Sequence, residues 1–205
     1  MSSWKLFAVF FCYLLSGCSS DKVNRDWPIV SVSSLHLREG DLAFRKGDGF
    51  ESRMILLADP DARSTHVGII ADSSGCWMVI HAVPGEPDFE GDKDRVKMEP
   101  LEHFYASSRA VSGEIMRVSD TLGARKAAQN AYAIYRRGVL FDNDFDDTDT
   151  TRMYCSELVD YVFRQAGIML VTGKHRSISV PGFSGKYLFP SDIQSSKCLY
   201  SVMCF

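Results

Sequence analysis

Arg152-Met153-Tyr154-Cys155-Ser156-Glu157-Leu158-Val159-Asp160-Tyr161-Val162-Phe163-Arg164-Gln165-Ala166-Gly167 is the most informative run of this chain. Apolar residues recur at 158, 159, 162, 163 and 166, the spacing of one helical face. Gly167 is a natural helix stop. Cys155 therefore falls in the first turn, where unpaired backbone N–H groups and the helix dipole favour negative charge. A thiol placed there tends to ionise, and the thiolate is the reactive form. The run predicts a cysteine nucleophile at the mouth of an amphipathic helix.

Such a nucleophile needs a base that becomes a cation and a further group to orient it. Two strand-like runs upstream, Thr65 to Ala71 and Cys76 to Val83, flank Asp72-Ser73-Ser74-Gly75. If those four residues form the turn, paired positions sum to 147, so Ile70 faces Trp77, Gly68 faces Val79 and His66 faces His81. Directly opposed residues have Cβ atoms roughly 4.5–5.5 Å apart, within reach of ring contact. His66 is expected to be the general base and His81 to hold its ring in one tautomer. Gly68 would leave room beside the pair for another backbone or a substrate. His36, His103 and His175 lack such context and are expected at the surface.

Around these elements, Gly40-Asp41-Leu42-Ala43-Phe44 reads as a strand leaving a turn, and Gly49 to Leu57 has helical spacing. Val96 to Met98 and Gly113 to Val118 read as strands. Asp120 caps a helix over Thr121 to Arg137 that stops at Gly138. Two short strands are expected to close the domain, near Leu188 and across Leu199 to Phe205. Strands cluster before and after helices instead of alternating with them, which predicts an α+β fold with an antiparallel sheet packed against helices.

The N-terminus reads as a targeting segment. Lys5 precedes a ten-residue apolar run, Leu6 to Leu15, too short to span a bilayer and suited to a signal peptide. Leu15-Ser16-Gly17-Cys18 looks like a bacterial lipobox, with Cys18 lipidated as the first mature residue. Ser19 follows in place of an aspartate, which favours the outer membrane with the domain facing the periplasm. The expected organisation is a signal peptide over 1–17, a lipidated tether over 18–37 and one domain over 38–205. Net charge is −3 and composition is ordinary, 45% hydrophobic and 24% charged, so no nucleic-acid footprint is visible.

Of six cysteines, Cys76, Cys198 and Cys204 have no role in this scheme. A Cys198–Cys204 disulfide would need a turn, since an extended strand would hold the two about 20 Å apart. Small buried hydrophobes is the favoured reading of all three. No ligand spacing supports a metal site, and no cofactor is expected. Asp142 to Asp149 carries five acids in eight residues. It lacks the turn glycine and the twelfth-position carboxylate of a calcium loop, so a solvated acidic loop is expected. Glu157 and Ser156 are expected to serve the helix start instead of catalysis.

Gly40-Asp41, Ser64-Thr65-His66-Val67-Gly68-Ile69, Val79-Ile80-His81-Ala82 and Tyr154-Cys155-Ser156-Glu157-Leu158-Val159 stand in the order found in YiiX/YebB-like proteins. The chain resembles this circularly permuted branch of the NlpC-type, papain-like cysteine hydrolases over most of residues 38 to 193, including Phe189-Pro190-Ser191-Asp192-Ile193. The resemblance implies a papain-like fold, Cys155 as nucleophile and His66 as base. Many relatives carry glutamate where His81 stands, and commonly a Tyr-Asp pair where this chain has Phe141-Asp142. A hydroxyl that could stabilise an oxyanion is thus missing, and Tyr154 or the Cys155 backbone N–H is expected to substitute. The function expected is that of a monomeric, lipid-anchored cysteine peptidase or amidase acting on cell-wall peptides. The alternatives are an acyltransferase or lipid amidase of the lecithin retinol acyltransferase kind, whose members share this fold and residue order, and a non-catalytic binding module.

Overall fold

The computed structural model describes residues 27–31, 33, 36–145, 150–173, 175–180 and 183–205. Residues 1–26, with the proposed signal segment and Cys18, lie outside the described residues, as do 146–149 of the acidic loop.

The elements run β1 Leu42–Lys46, α1 Phe50–Ala58, β2 His66–Ser73, β3 Cys76–Val83, β4 Arg95–Pro100, α2 Leu101–Phe104, β5 Ser112–Val118 and α3 Thr121–Arg137. They continue β6 Leu140–Phe141, β7 Arg152–Met153, α4 Cys155–Gln165, β8 Arg176–Val180, β9 Phe183–Tyr187, α5 Pro190–Gln194 and β10 Leu199–Cys204. Eight strands form one sheet in the order β10-β5-β1-β2-β3-β4-β6-β7, antiparallel except for the two-residue β6–β7 pair. β8 and β9 form a separate antiparallel hairpin. The α+β architecture expected from the sequence is the one observed.

Helices α3 and α4 cover one face of the sheet. Alternation along β2 sends Val67 and Ile69 to that face, where they meet Ala127 and Ala131 of α3 and Leu158, Val162 and Phe163 of α4. Alanines on the buried side of α3 let it lie close to the strands. Each large apolar side chain that α4 buries contributes roughly 1.5–3 kcal/mol. The other face carries a smaller core, Ile70, Val79 and Ile115 against Leu101, Phe104 and Tyr105.

Helix ends follow their sequence signals. Asp120 accepts from the Gly123 N–H at 3.0 Å, and Gly138 closes α3 in the left-handed region at φ 66°. The Gly40-Asp41 opening is structural. Gly40 has φ 85°, and a Cβ there would stand 2.2 Å from the Ala124 carbonyl oxygen of α3. Asp41, 1% exposed, accepts from Arg117 at 2.6 and 2.7 Å.

The two closing strands expected near Leu188 and across Leu199 to Phe205 are β9, which ends at Tyr187, and β10. Two local expectations are corrected. Cys76, Cys198 and Cys204 are exposed free thiols, not buried ones. Asp142, expected in a solvated loop, is 2% exposed and accepts from the Asp144 N–H. The end of the segment read as a tether is docked: Trp27 and Ile29 exchange backbone hydrogen bonds with Ser107 and Tyr105. Among the described residues no helix is long and apolar enough to cross a membrane.

Candidate active site

The hairpin turn is shorter than the sequence suggested. Ser73 pairs with Cys76, and Ser74 and Gly75 form a two-residue turn with φ 56° and 84°. Paired positions therefore sum to 149, not 147, with Ile69 opposite Ile80 and Ile70 opposite Val79. The shift of two preserves side-chain parity, so both histidines stay on one face as diagonal neighbours. His66 Nε2 lies 2.8 Å from His81 Nδ1, with ring centroids 5.0 Å apart. Both rings pack near Phe104.

Gly68 is what lets His81 into this position. A Cβ on Gly68 would stand 2.4 Å from Val79 Cγ1 and 3.0 Å from His81 Cβ. Of the two occupants the sequence allowed, another backbone or a substrate, the space is taken by the protein itself, the Val79 and His81 side chains and the Ile80 carbonyl.

Paired positions of β2 and β3 run from Ile69–Ile80 to Ser73–Cys76, leaving His66 to Gly68 and His81 to Val83 beyond them. The start of α4 reaches the sheet there. Ser156 Oγ lies 3.8 Å from the Cys155 sulfur, and the Val67 backbone is near enough to oppose the rise of its pKa. Cys155 and His66 line one cavity of about 320 Å³, together with Thr65, Tyr154 and Ser156. Because Val67 follows His66 in the chain, that proximity sets the thiol in the neighbourhood of the base.

The electrostatics reverse one sequence expectation. Burial pushes the Cys155 thiol above its ordinary value of 9.0, and hydrogen bonds from Ser156 and the Val67 backbone only partly oppose it. Burial first, then the positive charge of Arg45, holds His66 well below 6.5, and a proton on His81 would push it lower still. Burial also lowers His81, against the opposing pull of Glu99. Burial of both groups thus favours a neutral thiol and a neutral imidazole. The helix start is a weaker acidifier than the sequence implied because Cys155 is only 8% exposed.

Tyr154, the proposed oxyanion donor, forms part of the cavity wall, and its hydroxyl accepts from the Leu188 N–H at 3.2 Å. Glu157 accepts from the Tyr154 backbone N–H at 3.3 Å, a helix-start contact as expected. Phe141 lines the cavity as well, at the position where relatives commonly carry tyrosine. His36 and His103 are exposed, and His175 is half-buried.

Charged residues absent from the sequence reading complete the site. Glu99 Oε1 lies 3.0 Å from His81 Nε2, and Arg109 Nη1 lies 2.6 Å from Glu99 Oε2 and 3.1 Å from Glu86 Oε2. Glu86 in turn meets Arg45 at 2.5 Å, and Arg45 is the β1 partner of His66. The chain of contacts closes on itself over the Phe104 ring, with the Arg45 guanidinium 4.6 Å from its centroid.

A helix-borne cysteine that follows its histidine strands in the chain is the papain-like arrangement in permuted order, and it places the molecule among the papain-like cysteine hydrolases. The chain belongs to the family of permuted papain-like amidase enzymes, YaeF/YiiX, C92 family, whose profile matches residues 36–177. It is similar in fold to the crystal structure of the metalloprotein yiiX from Escherichia coli O157:H7, with a TM-score of 0.65 and 21% identity over 82% of this chain and 98% of that one. No curated protein matches. Among the described residues, no group of three or more His, Cys, Asp or Glu side chains is placed to hold a metal ion.

Proposed function

We propose that this cysteine hydrolase is an amidase in which Cys155 attacks a carbonyl carbon and His66 accepts the thiol proton. The observation that carries this reading is the shared cavity, with Cys155 at the start of α4 and His66 at the start of β2. As the carbon–sulfur bond forms, the proton passes from sulfur to the free nitrogen of His66. The tetrahedral oxygen lies near the first N–H groups of α4, which have no partner within the helix. Collapse expels the amine, which takes the proton from His66, and leaves a thioester on Cys155. Water, deprotonated by His66, then releases the acid.

The cavity lining supports a substrate whose acyl side is apolar. Met54, Ile55, Val83, Phe145 and Leu188 are among the residues that line it. Arg45 and Arg109, which could have received the carboxylates of a cell-wall peptide, are engaged by Glu86 and Glu99. A lipid amide is therefore favoured over the cell-wall peptides that the resemblance suggests. Lys5, the apolar run from Leu6 to Leu15 and the Leu15-Ser16-Gly17-Cys18 segment support a lipid anchor at Cys18 on the outer membrane, which would bring the cleft to acyl chains.

The test is hydrolysis of two substrate sets by the purified protein, N-acyl amides of increasing chain length and cell-wall stem peptides. Rising kcat/KM with chain length, lost in Cys155→Ala, is the expected result. Hydrolysis of stem peptides alone would overturn the substrate assignment.

A further inference from the structure

We propose that Glu99 is a positioning residue that, through His81, determines which nitrogen of His66 is bare and able to take the thiol proton; this rests on the reading of Cys155 and His66 as nucleophile and base.

The proton positions follow from the partners. Glu99 is held in its ionised form: burial works against ionisation, and contact with His81 and the Arg109 guanidinium at 2.6 Å overcomes it. A carboxylate only accepts, and His81 Nε2 and Glu99 Oε1 are both buried, 3.0 Å apart and without another hydrogen-bond partner, so the proton that satisfies the pair sits on Nε2. A neutral His81 then has a bare Nδ1, which accepts from His66 Nε2 at 2.8 Å. His66 Nε2 is thereby fixed as N–H, and Nδ1 is left as the only nitrogen that can receive a proton. His81 is 0% exposed, so its tautomer is set by these two buried partners and not by bulk solvent. One buried carboxylate sets two rings in series.

Arg109 makes the arrangement sensitive to a single atom. Its guanidinium only donates, and it occupies the second Glu99 oxygen at 2.6 Å. In Glu99→Gln, Arg109 draws the amide oxygen to itself and turns the NH₂ toward His81 Nε2. That donor requires a bare Nε2, so the His81 proton moves to Nδ1 and points at His66 Nε2. His66 must then carry its proton on Nδ1, and the base is blocked. The same substitution at an exposed, merely structural carboxylate would move neither ring.

The test combines imidazole nitrogen NMR of ¹⁵N-histidine-labelled protein with turnover. In the unliganded wild-type and Cys155→Ala proteins, both rings are expected as Nε2–H tautomers. In Glu99→Gln both are expected as Nδ1–H, with kcat/KM reduced by about 100-fold or more, toward the roughly 10⁴-fold loss seen when the orienting carboxylate of a Ser-His-Asp triad becomes an amide. Glu99→Asp should recover the wild-type tautomers and part of the activity. An Nδ1–H tautomer for His81 in the wild-type protein overturns the proposal without any variant, as does Glu99→Gln with unchanged tautomers and full turnover. Turnover that survives Cys155→Ala would instead refute the nucleophile while the tautomer result stands.

Discussion

His66 and His81 are in hydrogen-bond contact at 2.8 Å although both lie beyond the paired positions of the hairpin, which begin at Ile69–Ile80; Gly68, two residues along β2 from His66, packs so closely that a Cβ on it would stand 3.0 Å from His81 Cβ. The diagonal contact depends on that glycine having no side chain. Gly68→Ala would force its Cβ against Val79 Cγ1 and His81 Cβ. Overpacking of this kind costs about 1–3 kcal/mol. Melting temperature should fall accordingly, while kcat/KM should drop further than the unfolded fraction explains. Val79→Ala in the same chain should restore much of the stability and little of the activity. Equal restoration of both would mean that the His81 position does not matter for turnover.

Reactivity of Cys155 should report a buried thiol. Burial raises its value above 9.0 and lowers that of His66 below 6.5, so neither group is charged at neutral pH. Iodoacetamide should label Cys155 more slowly at pH 7 than the exposed Cys76, measured by peptide mass in the same sample. The Cys155 rate should rise steeply above pH 9. A plateau of fast labelling near neutrality would show a resting thiolate–imidazolium pair instead.

The same directions set the pH range of stability. Unfolded histidine binds a proton near pH 6.5, while folded His66 and His81 resist it, so stability is complete above that pH and lost as pH falls below it. The unfolded cysteine loses its proton near pH 9.0 and folded Cys155 keeps it, so stability also declines as pH rises past 9. Each group contributes a slope of at most about 1.4 kcal/mol per pH unit. Chemical denaturation between pH 5 and 10 should show both declines. His66→Gln should flatten part of the acid side, and an unchanged acid slope would contradict the burial argument.

Helix α1 forms a wall of the cavity yet buries none of its own side chains. Two ties hold it: Ser52 Oγ to Thr65 Oγ1 at 2.8 Å, and Asp59 to Arg176 at 2.8 Å, with Ser191 also bonding Asp59. Arg176 further contacts Asp192 at the start of α5. Because the Arg176 pair is partly exposed, Arg176→Ala should change global stability by less than about 1 kcal/mol. Limited proteolysis within residues 50–58 should nevertheless accelerate several-fold, and KM should rise more than kcat falls. Unaltered cleavage of α1 would show that the clasp does not hold the wall.

Phe141 offers a gain-of-function test. Removal of one oxyanion donor costs other enzymes about 100–1,000-fold. Phe141→Tyr adds a hydroxyl to the cavity wall where relatives commonly have one, and kcat should rise about tenfold with little change in KM. An unchanged kcat would mean that the α4 N–H groups already suffice.

Much of this site was legible because its signals are local. The apolar spacing of residues 158 to 166 gave α4 and set Cys155 at its mouth, as observed. The histidine pair survived a register error, since a slip of two keeps both rings on one face. The error came from the turn: Ser74 adopts φ 56° without being asparagine, aspartate or glycine, so the two-residue turn carried no strong signature. Glu99 escaped notice for a different reason. Lys97 and Glu99 alternate with Val96 and Met98 like the solvent face of a strand, yet they are 3% and 5% exposed because the segments around Glu86 and Arg109 cover them. Burial by remote segments leaves no mark in the strand itself. The high thiol value was hidden likewise, because a helix start announces its dipole but not how deeply it is buried.

The most direct test of the account is capture of the acyl-enzyme. The protein is mixed with an activated acyl ester, quenched in acid within the first turnover, and mapped by peptide mass. The acyl mass should appear on the peptide that contains Cys155, should be absent from Cys155→Ala, and should form at least about 100-fold more slowly in His66→Ala. Acyl transfer to any other residue, or full turnover by Cys155→Ala, would contradict it.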